Sequence, residues 1–300
     1  MKSMLEMQGS LFLYILIGIY AQKRGIITYA NRRKITDLII DIILPCNIIN
    51  SFMISGSNKI LLQCGAVFLL SMVAQIGYVL ASKLLFRHVP RDKQAILRYA
   101  IICSNAGFLG NPIVESVFGA KGLLFASVAL IPLRFAMWSS GLSLFTKTDK
   151  KSTVKVLITH PCILAVFLGF GLMLSQLQLP GFVLKTISGV GGCNTAISMI
   201  VIGSILAEIN IKEIMDLTLF YYAAIRLVAI PVVVLVLFKI FNVDALITGV
   251  IVLLSAMPAG STTVMLAEKY NGDSEYATSC VFLSTILSLV TIPLISYLII

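Results

Sequence analysis

Apolar residues recur along this chain in runs of about 20, separated by short polar segments. A helix needs about 20 mostly apolar residues to cross the hydrocarbon core of a bilayer. The pattern therefore predicts an all-α integral membrane protein with ten transmembrane helices. These spans lie near residues 4–22, 35–54, 60–86, 95–118, 122–146, 155–178, 182–208, 213–240, 245–270 and 275–299.

Composition and charge agree with this interpretation. Of the 300 residues, 58% are hydrophobic and 12% are charged, whereas soluble domains are about 25% charged. The net charge of +10 does not indicate nucleic-acid binding, because the basic residues are spread among short connections. Sixteen basic residues follow odd-numbered spans and five lie on the other side. The positive-inside rule then predicts a multi-pass protein of the cell membrane with both termini outside the cytoplasm.

Two features of the first half of the chain recur in the second half. Residues 46–47 and 193–194 both read Cys-Asn, and polar interruptions occur at residues 104–112 of span 4 and 255–263 of span 9. Because each half has five spans, an odd number, the second half enters the membrane from the opposite face, as in many secondary transporters. The predicted inverted repeats are residues 1–150 and 151–300.

The interruptions predict helices that are broken in the middle of the membrane. Pro112 lacks an N–H group and Asn111 is a good N-cap, so one half-helix is expected to end near Gly107 and another to begin at Asn111. Broken backbone persists in a bilayer only where it is buried in protein or lines a cavity, and matched breaks indicate a substrate site. The alternative is a pair of simple proline kinks, repaired by Ser and Thr hydroxyls.

The charges near the breaks favour an anionic substrate. Arg134 and Arg226 fall near the middle of their spans, and each second half-helix would direct its N-terminus, about half a positive charge, at the midplane. Asp41 and Glu115, the nearest acids, lie away from the centres of their spans. A carboxylate would suit this positive midplane. Alternatively, the arginines pair with these acids or with backbone carbonyls.

The residues predicted to contact substrate are the polar and helix-breaking residues of the interrupted spans, the two arginines and the repeated asparagines: Asn47, Asn105, Asn111, Pro112, Arg134, Asn194, Arg226, Pro258, Ser261 and Thr262. No catalytic residue, metal ligand or cofactor is predicted, since the six cysteines lie in apolar runs without metal-ligand spacing. HExxH, GxSxG and P-loop motifs do not occur, which argues against an enzyme.

Some of these residues resemble the signature of the auxin efflux carrier family. Asn105, the Gly-Asn-Pro at residues 110–112, and Gly119 are similar to the Asn-…-Gly-x-Pro-…-Gly pattern of that family's first crossover helix. Pro258 with Glu-Lys-Tyr-Asn at residues 268–271 resembles its second crossover helix.

Arg226 followed by Pro231 is similar to an Arg-…-Pro pair in the family's eighth helix, and the resemblance extends over essentially the whole chain. The short connection after span 5 resembles the bacterial branch, whose members are linked to malonate, malate and related acids. Residues 191–196 depart from many bacterial members, which have a proline in helix 7.

The resemblance implies a transporter of small organic anions, either mono- or dicarboxylates or auxin-like acids. Its broken helices 4 and 9 would cross at their unwound centres. Helices 1, 2, 6 and 7 would form a scaffold that dimerises, and helices 3–5 and 8–10 a transport domain that moves like an elevator. A coupling proton or sodium ion is a further implied partner, besides the lipid bilayer.

Two other functions stay open on the sequence. A sodium-coupled carrier of the bile-acid type has a similar architecture, and its sodium site would need oxygens near the break, where Glu115 is the only nearby acid. A membrane receptor or scaffold that binds without transporting could use the same binding site.

Overall fold

A computed structural model describes residues 2–53, 58–145, 159, 161–175, 177, 179–207, 216–260, 262–270 and 272–299. These residues form helices and no strand, apart from one isolated β-bridge. In chain order the helices are α1 (Lys2–Lys23), α2 (Tyr29–Leu38, the π-helical Ile39–Ile43 and Leu44–Ser51), α3 (Asn58–Leu85), α4 (Arg91–Ile102), α5 (Asn111–Ala136, with π-helical Ala106–Gly110 before it and Met137–Gly141 after it), α6 (Pro161–Ser175), α7 (Gly181–Gly192), α8 (Asn194–Leu206), α9 (Leu217–Ala224, the π-helical Ile225–Ala229 and Ile230–Ile240), α10 (Ala245–Ser255), α11 (Thr262–Lys269) and α12 (Ser274–Ile299).

Several of these helices have the length and apolar composition needed to cross a membrane. Among the described residues they are Lys59–Leu85, Ala106–Leu144, Gly181–Ile205, Leu217–Ile240 and Ser274–Ile299. Shorter apolar helices cover Phe12–Lys23, Pro161–Ser175 and Ala245–Ser255. The all-helical fold is thus confirmed for the described residues, with several candidate membrane spans, whereas ten spans in two inverted repeats stay a prediction.

Helix α5 contains a break where the sequence places the boundary between spans 4 and 5. Gly119 has φ 66° and ψ −163°, a backbone region that is essentially restricted to glycine. A Cβ added at Gly119 would meet no atom within 4 Å. The backbone conformation, and not a lack of space, therefore requires glycine at this kink.

The chain divides into two compact units. Unit 1 contains Met1–Leu61, Asn111–Ser127 and Thr159–Ile209, and unit 2 contains Leu62–Gly110, Val128–Ile158 and Asn210–Ile300. Each of the two predicted repeats contributes to both units, so this division does not test the repeats.

Close backbone contact holds the helices of unit 1 together. A Cβ added at Gly18 in α1 would overlap the carbonyl oxygen of Ile200 in α8, and one added at Gly203 in α8 would overlap that of Ile15 in α1. Small residues allow such approach where lipid supplies no hydrophobic driving force between helices. Gly191 in α7 packs in the same way against the backbone of α2.

Polar contacts at helix starts fix the directions of the helices in unit 2. Lys93 at the start of α4 forms a 3.0 Å ion pair with Asp216, the N-cap of α9, and lies 4.5 Å from the ring centroid of Tyr276 at the start of α12. Gln63 near the start of α3 donates a 3.5 Å hydrogen bond to Asp244, the N-cap of α10. The starts of α3 and α10 therefore lie at the same end of unit 2. Because α4 begins shortly after α3 ends, it starts at the other end, and α4 and α10 run in opposite directions.

Candidate functional site

Helix α4 stops in the middle of predicted span 4, and its end corrects the sequence prediction. Cys103 takes extended backbone angles, φ −120° and ψ 92°, so the helix ends at Ile102 and not near Gly107. The chain becomes helical again in the π-helical stretch Ala106–Gly110. Asn111 therefore continues an existing helix and does not cap a new one.

The second break separates α10 from α11 and pairs with the first. Ser104 and Ala259 form an antiparallel β-bridge. The backbone N–H of Asn105 donates to the carbonyl oxygen of Pro258 at 2.8 Å. The two breaks in the helices of unit 2 are thus joined through their main chains.

Two further hydrogen bonds satisfy backbone groups that the breaks release. The N–H of Gly260 donates to the carbonyl oxygen of Cys103 at 3.2 Å, and the N–H of Ala259 donates to the hydroxyl of Ser284 in α12 at 3.2 Å. In an open cavity this task would fall to substrate or water. Part of it is instead performed by the opposite break and by α12.

Arg226 in α9 binds the carbonyl ends of both interrupted helices. Its side chain is 1% exposed, its Nε donates to Met257 O at 3.0 Å, and its Nη1 donates to Ile101 O at 2.9 Å. The C-terminal end of a helix carries about half a negative charge and favours a cation. Arg226 thus lies between the C-terminal ends of α4 and α10, which agrees with the alternative that it pairs with backbone carbonyls.

Arg134 in the second part of α5 has a different environment. It is 5% exposed, and its Nη1 has no hydrogen-bond partner among the described residues. Its Nη2 would lie 3.9 Å from a Cβ added at Gly107. The guanidinium therefore faces the π-helical stretch that follows the first break, with hydrogen-bonding capacity to spare.

A small cavity lined by both apolar and polar residues lies within unit 2 beside the first break. It leaves about 30 Å³ for the centres of water molecules, which is enough for one or two waters. It is lined by Ser71, Ala74, Gln75, Tyr78, Ser104, Ala106, Ala129, Leu130, Leu133, Arg226, Ile251, Leu254 and Ser255. In this conformation the cavity is too small for a dicarboxylate.

Asn47 is the most connected candidate residue of unit 1. It is 3% exposed, and its Nδ2 donates to Glu115 Oε2 at 3.2 Å and to Gly191 O at 3.0 Å. Its Oδ1 is buried without a partner among the described residues. This polar cluster joins α2, α5 and α7.

The other candidates in unit 1 are also buried. Asn111 is 0% exposed, and neither polar atom of its side chain has a partner among the described residues. Pro112 is buried beside it near the start of α5. Asn194 at the start of α8 accepts a 3.3 Å hydrogen bond from Ser198. Asn111 is thus enclosed in this structure, and its contact with substrate stays a prediction.

The structure thus groups the predicted residues by unit. Unit 2 brings Asn105 to Pro258 directly, and connects Arg226 to the same break through Met257. Thr262 at the start of α11 accepts a 3.1 Å hydrogen bond from the Tyr99 hydroxyl. Ser261 lies outside the described residues.

Sequence reasoning missed Gln75, Tyr99 and Ser284, which also support the breaks. Gln75 donates a 2.8 Å hydrogen bond to the Ile102 carbonyl, the last residue of α4. A glutamine in the middle of an apolar span was a usable signal, since a polar group in lipid needs a partner. Tyr99 and Ser284 gave no comparable signal, because such residues are common in membrane helices.

Nearly the whole chain is similar to known transport proteins. The profile of the family described as membrane transport protein matches residues 5–296. An uncharacterized transporter of Methanocaldococcus jannaschii is 24% identical over 296 residues, covering 93% of this chain and 94% of its own length. An uncharacterized transporter of Methanothermobacter thermautotrophicus is 26% identical over 293 residues, covering 95% of each chain.

Proposed function

Because the chain belongs to the membrane transport protein family, that of the auxin efflux carriers, we propose that it is a secondary transporter of small organic anions. The substrates would be mono- or dicarboxylates or auxin-like acids. The protein would act in the cell membrane with both termini outside, as a homodimer and without catalytic chemistry.

The electrostatics of the breaks in unit 2 carry this proposal. The C-terminal ends of α4 and α10 are negative, but Arg226 offsets them. The helical segments that begin at residues 106 and 262 direct their positive N-terminal ends at the breaks. Arg134 adds a buried cation with an unpaired Nη1. A net positive charge remains beside the breaks, and a carboxylate would neutralise it.

No described acidic side chain competes for this charge within unit 2. Asp216 and Asp244 cap the starts of helices. Asp273 accepts a hydrogen bond from the N–H of Tyr276 at the start of α12, and Glu275 lies in the first turn of that helix. These carboxylates therefore lie at the ends of unit 2 and not beside its breaks.

An elevator mechanism is part of the proposal. It requires two separately compact bodies, and the division of the chain into two units supports that requirement. Residues of predicted helices 1, 2, 6 and 7 fall in unit 1, as the predicted scaffold would. Asn111–Ser127 also falls in unit 1, so the first half-helix of span 4 and its continuation belong to different units.

The proposal is tested first by ligand binding. Malonate, malate and indoleacetate are added separately to the purified protein, and its thermal unfolding is followed. A ligand that binds only the folded state at 100 times its Kd adds about 2.7 kcal/mol of stability. We expect at least one of these carboxylates to raise the unfolding temperature, and no effect from a neutral amide analogue of the same size.

Two variants locate the binding site. Asn105→Ala removes an amide but keeps the backbone bonds that involve Asn105, so we expect binding to weaken roughly ten- to a hundredfold with little loss of stability. Arg134→Gln should weaken binding at least as much. Lys239→Gln, which removes an exposed positive charge at the end of α9, is the matched control and should bind normally.

Flux separates a carrier from a receptor. Uptake of the stabilising carboxylate is measured in proteoliposomes that contain the wild type or Arg134→Gln. Binding without uptake would support a receptor instead. Unchanged binding in both site variants would remove the electrostatic basis of the proposal.

A further inference from the structure

Glu115 is a carboxylate in the interior of a membrane-spanning segment that the anion site does not use. It lies in the first part of α5 and is half-buried. Intramembrane acids are rare and usually functional. The sequence placed Glu115 away from the centre of its span, but its contacts in unit 1 determine its depth more directly.

The hydrogen bonds of Asn47 connect Glu115 to the interior of a neighbouring membrane-spanning stretch. Asn47 Nδ2 donates both to Glu115 Oε2, at 3.2 Å, and to Gly191 O, at 3.0 Å. Gly191 lies near the middle of the membrane-spanning stretch Gly181–Ile205. At 1.5 Å per residue it lies about 15 Å from the start of that stretch, roughly half of the hydrocarbon thickness. Glu115 itself lies four residues, about 6 Å, before the break at Gly119, so its carboxylate lies inside the membrane-spanning part of unit 1 but short of the bilayer centre.

From this arrangement we propose that Glu115 and Asn47 form a proton-binding site of unit 1, which couples transport to a proton gradient. The coupling rests on the proposed transport function, whereas the proton site itself does not. A proton from the aqueous phase would bond to one carboxylate oxygen of Glu115 and leave again as the carboxylate re-forms. No other bond is made or broken.

The amide of Asn47 can serve both protonation states. The charged carboxylate needs a donor, and Nδ2 supplies one. The protonated acid needs an acceptor for its O–H, and Asn47 Oδ1 is buried without a partner among the described residues. An amide carries both kinds of group, so a rotation of the Asn47 side chain would present Oδ1 to the protonated acid, in exchange for the bond from Nδ2 to Gly191 O. A buried acceptor without a donor is costly, and a protonated Glu115 would remove that cost.

A metal ion fits this site less well than a proton. Hard cations such as Ca²⁺ and Mg²⁺ gather about six oxygens. The described cluster offers the carboxylate of Glu115 and Oδ1 of Asn47, while the carbonyl of Gly191 already accepts a hydrogen bond. No group of three or more His, Cys, Asp or Glu side chains suited to a metal occurs in the described part of the chain.

The other charged groups on the elements around the pair are exposed or make other contacts. Asp37 and Asp41 in α2 are exposed, as is Lys185 in α7. In α5, the Nζ of Lys121 lies 5.5 Å from the ring centroid of Phe125, and α6 contains no Asp, Glu, Lys or Arg. The thiols on these elements and at their junction are Cys46, Cys162 and Cys193. The titration of Glu115 is thus set mainly by burial and by Asn47.

The proton site is tested without any substrate. The full-length protein in lipid nanodiscs is titrated with acid while the infrared carbonyl band of protonated carboxylic acids is recorded. We expect a titrating band in the wild type that disappears in Glu115→Gln, which keeps the acceptor for Asn47 and the side-chain size. Asp41→Asn, which changes an exposed acid of the same unit, should keep the band. Absence of a Glu115-dependent band, or its loss on adding sodium at constant pH, would overturn the proposal.

Coupling is tested in proteoliposomes with malonate as the probe. In the wild type an imposed pH gradient should drive accumulation, and Glu115→Gln should abolish accumulation while malonate exchange across the membrane continues. Proton-driven accumulation by Glu115→Gln would refute the coupling. If the wild type carries no malonate in either assay, the proposed function fails for this substrate, and the infrared titration alone decides the proton site.

Discussion

At the scale of single residues, the two buried arginines of unit 2 illustrate how environment determines role. Both looked alike in the sequence, each in the middle of an apolar span. In the structure Arg226 donates to two backbone carbonyls, whereas Arg134 retains an Nη1 without a partner among the described residues. The first arrangement stabilises the breaks, and the second leaves a cation available to an anion.

The role of Arg226 leads to a prediction about stability. Arg226→Met removes the donors of Met257 O and Ile101 O. Each buried acceptor left unsatisfied costs about 1–3 kcal/mol, so we expect the free energy of unfolding to fall by about 2–6 kcal/mol. Thermal unfolding of the purified variant measures this loss. Arg226→Lys keeps the charge but not the planar fork of donors, so its free energy of unfolding should lie between those of the wild type and Arg226→Met.

The opposite result would restore the interpretation of Arg226 as a substrate contact. An Arg226→Met protein that unfolds at the wild-type temperature but loses its affinity for carboxylates would show that the charge is used for the ligand. The sequence alone left both roles open.

At the scale of helices, the kink at Gly119 depends on one backbone conformation. Because φ 66° with ψ −163° is essentially a glycine region, Gly119→Ala should cost about 1–3 kcal/mol. Gly65→Ala in α3 is the matched control, since an added Cβ there also meets nothing within 4 Å but no positive φ is involved. It should be neutral or stabilise by up to about 1 kcal/mol. Equal unfolding temperatures for the two variants would contradict the strained conformation.

The start of α9 gives a pH-dependent prediction outside the membrane. Burial acts to raise the pKa of Asp216, but hydrogen bonds from Thr218 and Lys93 outweigh it and leave the pKa below its ordinary value. A lowered pKa means that the charged form stabilises the fold above the unfolded value of about 3.9, and that this stability is lost as the pH falls through the folded pKa.

Asp216→Asn tests that contribution, because asparagine still caps a helix but carries no charge. We expect it to be less stable than the wild type by up to about 1 kcal/mol at pH 7, the range of exposed ion pairs. The difference should begin to shrink below about pH 4, the unfolded value, and should vanish once the pH has fallen through the lower pKa of the folded state. Lys93→Gln should show a similar loss at pH 7. If the stability difference between the wild type and Asp216→Asn persists in acid, it arises from helix capping rather than from charge.

At the scale of the whole molecule, orientation in the membrane is still predicted from the basic residues alone. Sixteen basic residues follow odd-numbered spans and five lie on the other side, so the positive-inside rule predicts that the connections after odd-numbered spans are cytoplasmic. The direction of the helices within unit 2 agrees with alternating spans, since α4, α9 and α12 begin at one end.

Labelling of single cysteines tests this orientation. In a background without the six native cysteines, a cysteine at Arg91 or at Lys150, which lies outside the described residues, should be protected from an impermeant reagent in intact cells. A cysteine at Lys2 should react. If the cysteines at Arg91 and Lys150 react and the cysteine at Lys2 is protected, the orientation is opposite to the predicted one.

Much of the architecture could be predicted because lipid imposes simple rules on a sequence. Apolar length determined most helices, and the polar interruptions at residues 104–112 and 255–263 indicated which two spans are broken. The predicted end of α4, near Gly107, lay more than one turn beyond the observed end at Ile102. Cys103 carries no local sequence signal for extended backbone.

The partners of buried polar groups were decided only by tertiary structure. Hydropathy reports whether a residue can enter lipid, which is a property of the residue and its neighbours in sequence. A hydrogen bond between Arg226 and Ile101, or between Asn47 and Glu115, joins residues far apart in the chain, and composition is the same with or without it. The sequence therefore determined that this is a helical membrane protein with paired breaks. Only the fold decided which buried charges are satisfied by backbone, because inside a membrane each polar group must find its partner within the protein.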